Sequence, residues 1–139
     1  MRAFIRSRTR LAVVTVAAAV TVLAGTAIAL SAQAATAGCS VAYSVPSQWA
    51  GGFTANVNIT NLGDPITSWT LTWSYTAGQQ ITQAWNTAAT QSGGQVTARN
   101  LSYNGNIGTN ASTSFGFNGS WNNSSNPAPA SFTDRKSVV

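Results

Sequence analysis

Few side chains in this sequence can perform acid–base or nucleophilic chemistry. The 139 residues include no His, a single Cys at position 39, and two acidic residues, Asp64 and Asp134. Hydrolysis of a glycosidic bond uses two carboxylates that flank the scissile bond, and only Asp64 precedes the last few residues. A Ser/His/Asp triad, a Cys/His dyad and a zinc site need His or further Cys. We therefore expect this chain to be no enzyme and to bind neither a metal nor another cofactor.

The side chains that remain available for binding a ligand are aromatic rings and amides. Five Trp and three Tyr stand among Thr, Ser, Asn, Gln and Gly. An exposed aromatic ring offers a large apolar surface for contact, and neighbouring amides offer hydrogen-bond donors and acceptors. Trp85 lies at a predicted strand end and Tyr103 in an Asn/Gly turn, where a core ring would be poorly enclosed. Trp49 precedes two Gly residues, and its surroundings suit a core ring or an exposed ring equally well.

The net charge of +5 does not indicate nucleic-acid binding, because of where the charges lie. The basic residues fall within residues 2–10 and at positions 135 and 136, and only Arg99 lies between them. The central part of the chain is nearly neutral and offers a phosphate backbone almost no electrostatic attraction. Its hydroxyls and amides suit an uncharged, hydroxyl-rich partner instead.

The N-terminus has the pattern of a secretory signal peptide over residues 1–34. A basic segment over residues 1–10 is followed by an apolar run over 11–30 and by Ala32-Gln33-Ala34. Cleavage after Ala34, or alternatively after Ala35, predicts a secreted, extracellular protein that leaves the membrane on processing. Two alternatives stay open. The apolar run is nearly long enough for a membrane anchor, and residues 36–39 are similar to a lipoprotein box.

The rest of the chain has the composition and periodicity of an all-β domain. Residues 52–61 and 68–76 alternate apolar with polar side chains, which predicts strands with one buried face. In the second segment Trp69 and Trp73 are expected in the core, whereas Trp121 is not assigned. Turns rich in Gly, Pro and Asn separate further short strands, and this spacing favours a β-sandwich. These further strands are predicted at 40–45, 80–85, 95–100 and 112–118, with a last one opening near 131.

In order along the chain stand the segments GFTANVNITN, SWTLTW, GQQITQAW, TARNLSYNG, FGFNGSW and NPAPASFT. In sequence and spacing they resemble family 2 carbohydrate-binding modules. The resemblance implies that residues 35–133 fold as an immunoglobulin-like antiparallel β-sandwich, as found in secreted bacterial enzymes that degrade polysaccharides. In that family three exposed rings on one flat face stack on a glucan chain. The matching positions are Trp49, Trp85 and Tyr103.

The resemblance also assigns polar neighbours to these rings. Asn56, Gln83 and Asn118 would hydrogen-bond the sugar hydroxyls. Two further polar positions of the family are occupied by Ser47 and Ser114, which are shorter than the amides of some members.

The position of Gly52 bears on the choice of polysaccharide. In xylan-binding relatives an Arg three residues after the first Trp turns that ring upright, and here Gly52 stands in its place, so Trp49 should lie flat. A flat line of rings favours cellulose over xylan and leaves chitin open. We expect a monomeric module that binds cellulose or a related insoluble polysaccharide and anchors an appended carbohydrate-active enzyme. The alternative is a cell-surface adhesion or structural sandwich without a sugar ligand.

Residues 134–139 do not continue the family pattern. Members usually close with a strand whose Cys pairs with the Cys near the N-terminus, whereas this sequence ends Asp-Arg-Lys-Ser-Val-Val. The run of charges contrasts with a nearly uncharged domain, and one reading frame of a common sequencing adapter encodes the same residues. We expect a non-native tail, with a natural divergent terminus as the alternative. Cys39 would then lack its disulfide partner.

Overall fold

A computed structural model describes residues 38–134, which form eight strands. They are β1 (Cys39–Trp49), β2 (Gly52–Asn61), β3 (Thr70–Ser74), β4 (Gln80–Trp85), β5 (Ala88–Ser92), β6 (Gln95–Arg99), β7 (Ser112–Ser120) and β8 (Phe132–Asp134). The predicted signal peptide over residues 1–34 lies outside the described residues, and so does the predicted tail over residues 134–139 except for Asp134. Residues 38–134 include no helix with the length and apolar character needed to cross a membrane.

The strands form two four-stranded sheets with antiparallel pairing. The first sheet has the order β1-β2-β7-β4, and the second has the order β5-β6-β3-β8. The predicted all-β antiparallel sandwich is therefore confirmed. In the first sheet β2 and β7 are central, whereas β1 and β4 are edge strands.

The sequence analysis missed β5, which occupies an edge of the second sheet. Its sequence AATQS has no large apolar side chain to mark it as a strand. Gln91 ties it to the other sheet, because its Nε2 donates to the Gln79 carbonyl and its Oε1 accepts from the Ile81 backbone N–H, both at 2.8 Å. Polar bridging between the sheet edges thus accompanies the pairing of β5 with β6.

The core lies between the two sheets and is rich in aromatic rings. Trp69 and Trp73 are buried, which confirms their prediction as core residues. The Trp69 ring stacks on Phe115 with centroids 5.4 Å apart, and the Trp73 ring stacks on Phe117 at 5.8 Å. Along β2 the buried side chains alternate with more exposed polar ones, as a half-buried strand requires. The opposite side of the first sheet is therefore left as a surface.

The last strand brings Asp134 next to the single cysteine. β8 pairs with β3 so that Asp134 lies opposite Leu71, and the Cys39 thiol donates to Asp134 Oδ2 at 3.0 Å. Burial first, then the hydrogen bond and the charge of Asp134, raise the pKa of Cys39 to about 12. The thiol therefore stays protonated at neutral pH.

Candidate functional site

The outward side of the first sheet carries short polar residues in aligned pairs. Antiparallel register sets Thr54 opposite Asn118 and Asn56 opposite Gly116. The outward residues of β1 and β4 flank these central pairs. We call this surface the outer face; its central residues are Gly52, Thr54, Asn56, Asn58 and Thr60 of β2 and Ser112, Ser114, Gly116, Asn118 and Ser120 of β7.

A β-bulge aims Trp49 onto the outer face. The half-buried apolar side chains of β1 up to Val45 pack against the core, so simple alternation would turn Trp49 inward as well. The register shifts between Ser44 and Ser47, and the extra residue reverses the alternation. Trp49 then pairs with Gly52, and 48% of its surface is exposed.

A second bulge does the same for Trp85 on the opposite edge strand. Ile81 packs against the core, and alternation alone would place Trp85 on the same side. The register shifts between Ile81 and Gln83, which leaves Thr82 as the extra residue. The Thr82 hydroxyl donates to a carbonyl of β7 at 3.1 Å. Trp85 then pairs with Gly116 and is 39% exposed.

Both indoles lie across a glycine of the neighbouring central strand. A Cβ at Gly52 would stand 2.5 Å from Cε2 of Trp49, and a Cβ at Gly116 would stand 2.5 Å from Cε2 of Trp85. Only glycine leaves room for these rings, and the contact at Gly52 agrees with the flat orientation expected for Trp49. From ordinary strand spacing and rise, rings above Gly52 and Gly116 lie about 14 Å apart, measured diagonally across β2 and β7.

Tyr103 is tied to the residue that follows Trp85. It lies in the connection between β6 and β7 and is 69% exposed. Its hydroxyl donates to Asn86 Oδ1 at 2.7 Å, and Asn104 Nδ2 donates to the Asn86 carbonyl at 2.7 Å. Asn86 has a φ of 60°, a left-handed conformation that Asn adopts more readily than most residues. The sequence analysis missed Asn86, which links the two aromatic residues.

The three predicted polar residues all lie on the outer face. Gln83 is opposite Asn118, and Asn56 is opposite Gly116, so they occupy the area between the two indoles. The Thr54 hydroxyl donates to Asn118 Oδ1 at 2.8 Å, which leaves the Asn118 amide N–H groups available. Asn56 and Gln83 are exposed. The structure thus brings these amides and the indoles of Trp49 and Trp85 together.

Trp121, which the sequence left unassigned, supports the turn after Trp49. Its Nε1 donates to the Trp49 carbonyl at 2.8 Å, and the Gly51 N–H donates to Asn123 Oδ1 at 2.6 Å. Trp121 is half-buried and packs against the core. No sequence pattern distinguishes this supporting ring from an exposed one.

The site is electrically neutral. Within residues 38–134 the charged side chains are Asp64, Arg99 and Asp134, and none lies on the outer face. The same residues contain no group of His, Cys, Asp or Glu that could hold a metal ion. The arrangement can therefore stack on and hydrogen-bond an uncharged ligand.

Comparison with known proteins identifies the family. The family described as "Cellulose binding domain" matches residues 39–136. The chain belongs to this family. Endoglucanase CelA of Streptomyces lividans is 52% identical to the domain over 103 residues, which cover 73% of this chain and 22% of that protein. The chain thus spans about a fifth of the length of this curated relative.

Solved structures support the same assignment. The chitin-binding domain of Chi18aC from Streptomyces coelicolor superimposes on the domain with a TM-score of 0.58 and 33% identity, covering 70% of this chain and 90% of that one. A cellulose-binding family 2 domain, that of ScLPMO10C, gives a TM-score of 0.55 and 32% identity, with 67% and 91% covered. The chain is thus a non-catalytic carbohydrate-binding domain, and no catalytic domain is evident within it.

Proposed function

We propose that this domain binds cellulose by stacking a glucan chain on Trp49, Trp85 and Tyr103. One observation carries the proposal. Four large hydrophobic side chains are exposed among residues 38–134, and three of them are these rings. Asn56, Gln83 and Asn118 are the hydrogen-bonding partners of the sugar hydroxyls in this proposal, since they lie beside the rings and face outward.

The exposed ring surface is large enough to support useful affinity. A whole Trp buries about 250 Å² at most, so the 39% left exposed by Trp85 is about 100 Å². At about 25 cal/mol per Å² its coverage contributes about 2.5 kcal/mol. With three rings and the neutral hydrogen bonds, and after the entropy cost of association, we expect a dissociation constant on the order of 1 μM.

We further propose that the domain is secreted and holds an appended enzyme on its insoluble substrate. Residues 1–34 have the pattern of a signal peptide. The relative from S. lividans is named an endoglucanase, and the part that matches this domain makes up 22% of its length. A binding module linked to an enzyme raises the local concentration of that enzyme at the polymer surface.

Sedimentation with insoluble polysaccharides tests the proposal. The domain is mixed with microcrystalline cellulose, chitin and insoluble xylan, and the unbound fraction is measured for the wild type, Trp85→Ala and Leu62→Ala. Leu62 is a matched control, because it is 47% exposed but lies in the loop after β2. We expect cellulose to deplete the wild type and Leu62→Ala but not Trp85→Ala. Equal binding by all three folded proteins would refute the proposal that the exposed aromatic rings bind the polysaccharide.

Chitin is the second candidate ligand. The similar domain from S. coelicolor is described as chitin-binding, and the aromatic rings contact the sugar face, which cellulose and chitin share. If chitin depletes the protein more strongly than cellulose does, chitin is the ligand. The proposed roles of the aromatic residues would then stay the same.

A further inference from the structure

The side chain of Gln79 is fully buried, although it is polar and lies just before β4. Its Nε2 donates to the Pro127 carbonyl at 3.0 Å and to Asn126 Oδ1 at 3.2 Å. Its Oε1 accepts from the Ala77 N–H at 3.1 Å. Burial of an amide is costly unless its hydrogen bonds are made, and here both ends of the amide have partners. A buried Gln with these bonds holds the segments that it connects in one arrangement.

Residues 121–127 in turn hold the end of β1 that carries Trp49. Asn126 lies in this segment, and its Nδ2 donates to Gln48 Oε1 at 2.8 Å. The bonds already described at the Trp49 carbonyl and at the Gly51 N–H are also made with this segment. Because β1 is an edge strand and pairs with β2 alone, these three side-chain hydrogen bonds add to the single strand pairing that holds the Trp49 backbone.

Gln79 also fixes the beginning of the strand that carries Trp85. β4 begins at the next residue and ends at Trp85. The Gln79 carbonyl accepts from Gln91 Nε2 at 2.8 Å, and the same Gln91 side chain accepts from the Ile81 N–H in β4. One buried residue therefore bonds, through its side chain, the segment that holds Trp49 and, through its backbone, the start of the strand that carries Trp85.

We infer that Gln79 is a positioning residue that fixes the Trp49 indole relative to the Trp85 indole. This inference rests on the proposed function. Two rings on opposite edge strands stack on one chain at the same time only if their spacing matches that chain, and each edge strand pairs with a single neighbour. Bonds that run from Gln79 towards both strands fix this spacing before the ligand binds, so less conformational entropy is lost on binding. Gln79 is buried and acts through the two Trp residues rather than on the ligand.

Adsorption isotherms on microcrystalline cellulose test this inference. Gln79→Met removes the amide but keeps the length of the side chain, and Asn126→Ala breaks the next bond at a half-buried position in case Gln79→Met does not fold. Gln48→Ala removes the acceptor of Asn126, whereas Gln48→Glu keeps an acceptor oxygen there. Each change is made in the wild type and in Trp49→Ala. Gln95→Ala, an exposed amide on the second sheet, is the control, and thermal melts verify that each variant is folded.

We expect Asn126→Ala and Gln48→Ala to weaken binding about two- to tenfold, which corresponds to the ordering of one more side chain on binding. A folded Gln79→Met should lose at least as much. Gln48→Glu and Gln95→Ala should bind like the wild type. In the Trp49→Ala background these changes should cost nothing further. Wild-type affinity for Asn126→Ala, equal losses for Gln48→Glu and Gln48→Ala, or a loss that persists in Trp49→Ala would each overturn the inference.

Fluorine NMR of protein labelled with 5-fluorotryptophan tests the positioning without a ligand. Of the five Trp signals, that of Trp49 is identified by its loss in Trp49→Ala. We expect Asn126→Ala to shift or broaden the Trp49 signal and to leave the signals of the core residues Trp69 and Trp73 unchanged. An unchanged Trp49 signal would overturn the inference. A shifted signal together with wild-type binding by Trp49→Ala would refute the proposed role of this ring in binding and confirm that the hydrogen bonds position it.

Discussion

The Trp85 indole lies directly over Gly116. The substitution Gly116→Ala therefore tests whether this ring must lie flat on the outer face for binding. A Cβ at residue 116 would lie 2.5 Å from Cε2 and Cζ2 of Trp85, so in Gly116→Ala the ring must move. Gly116 is not among the residues with positive φ, so its backbone accepts Ala. The ring is at the surface and can swing outward. We expect the fold to persist while the ring turns away from the sheet.

The loss of binding affinity in Gly116→Ala can be estimated from the exposed area of the Trp85 ring. With about 100 Å² available, full coverage of Trp85 contributes about 2.5 kcal/mol, or about 70-fold in affinity. A ring turned on edge keeps about half of this contact, so Gly116→Ala should weaken binding by about 1.3 kcal/mol, close to tenfold. The free energy of unfolding should fall by up to about 1 to 3 kcal/mol, because the displaced ring loses its packing on the sheet and this outweighs the gain from restricting the unfolded chain.

Adsorption isotherms on microcrystalline cellulose provide the measurement. The proteins are the wild type, Gly116→Ala, Trp85→Ala and the double variant, with Gly108→Ala as a control. A Cβ at Gly108 meets nothing closer than 3.9 Å. Since Gly116→Ala acts only through the indole, it should cost nothing further once Trp85 is Ala. Wild-type affinity for Gly116→Ala, or a further tenfold loss in the double variant, would refute the reasoning.

Three other predictions concern the remaining ring, pH and salt. Tyr103→Phe removes the 2.7 Å hydrogen bond to Asn86 but keeps the ring, so calorimetry should show at most about a threefold loss of affinity, and a loss as large as that of Tyr103→Ala would contradict this. Burial raises the pKa values of Cys39 and Tyr75, so the unfolded chain releases these protons first. Stability is therefore full below about pH 9 and falls as the pH rises towards about 12; denaturant titrations should show this fall, reduced in Cys39→Ser, and a flat profile would argue against it. Finally, the neutral outer face predicts that cellulose affinity changes less than about twofold between about 0.01 and 1 M salt, and a steep salt dependence in isotherms would implicate charges elsewhere.

The alternating pattern was sufficient to predict the main strands and the core. In β2 the buried and exposed positions follow the sequence alternation, and Trp69 and Trp73 are buried as that pattern indicates. The pattern failed for β5, because an edge strand whose Gln91 bridges the sheets needs no apolar face. Propensity and periodicity report burial, and they give no signal where polar contacts hold a strand.

The positions of the two exposed Trp residues could not be derived from alternation. Counting by twos from Val45 or from Ile81 would place Trp49 and Trp85 on the core side, and each is turned outward by a bulge that has no simple sequence signature. The position of Trp85 at a strand end favoured an exposed ring, whereas Trp49 was assigned only by the resemblance to a known family. The resemblance did not supply Asn86, whose role depends on a left-handed backbone next to Trp85.

Each of the two exposed Trp rings depends on a bulge in its own edge strand and on a glycine in the adjacent central strand. Edge strands tolerate an extra residue because they pair on one side only, and β1 and β4 each contain a bulge shortly before the Trp. A Trp on an edge strand reaches the middle of the sheet only if the adjacent central strand has no side chain beneath the ring. Gly52 and Gly116 meet this condition on β2 and β7. The rings therefore lie over the central strands of the sheet rather than beyond its edges, and binding a flat polymer requires little ordering of these side chains.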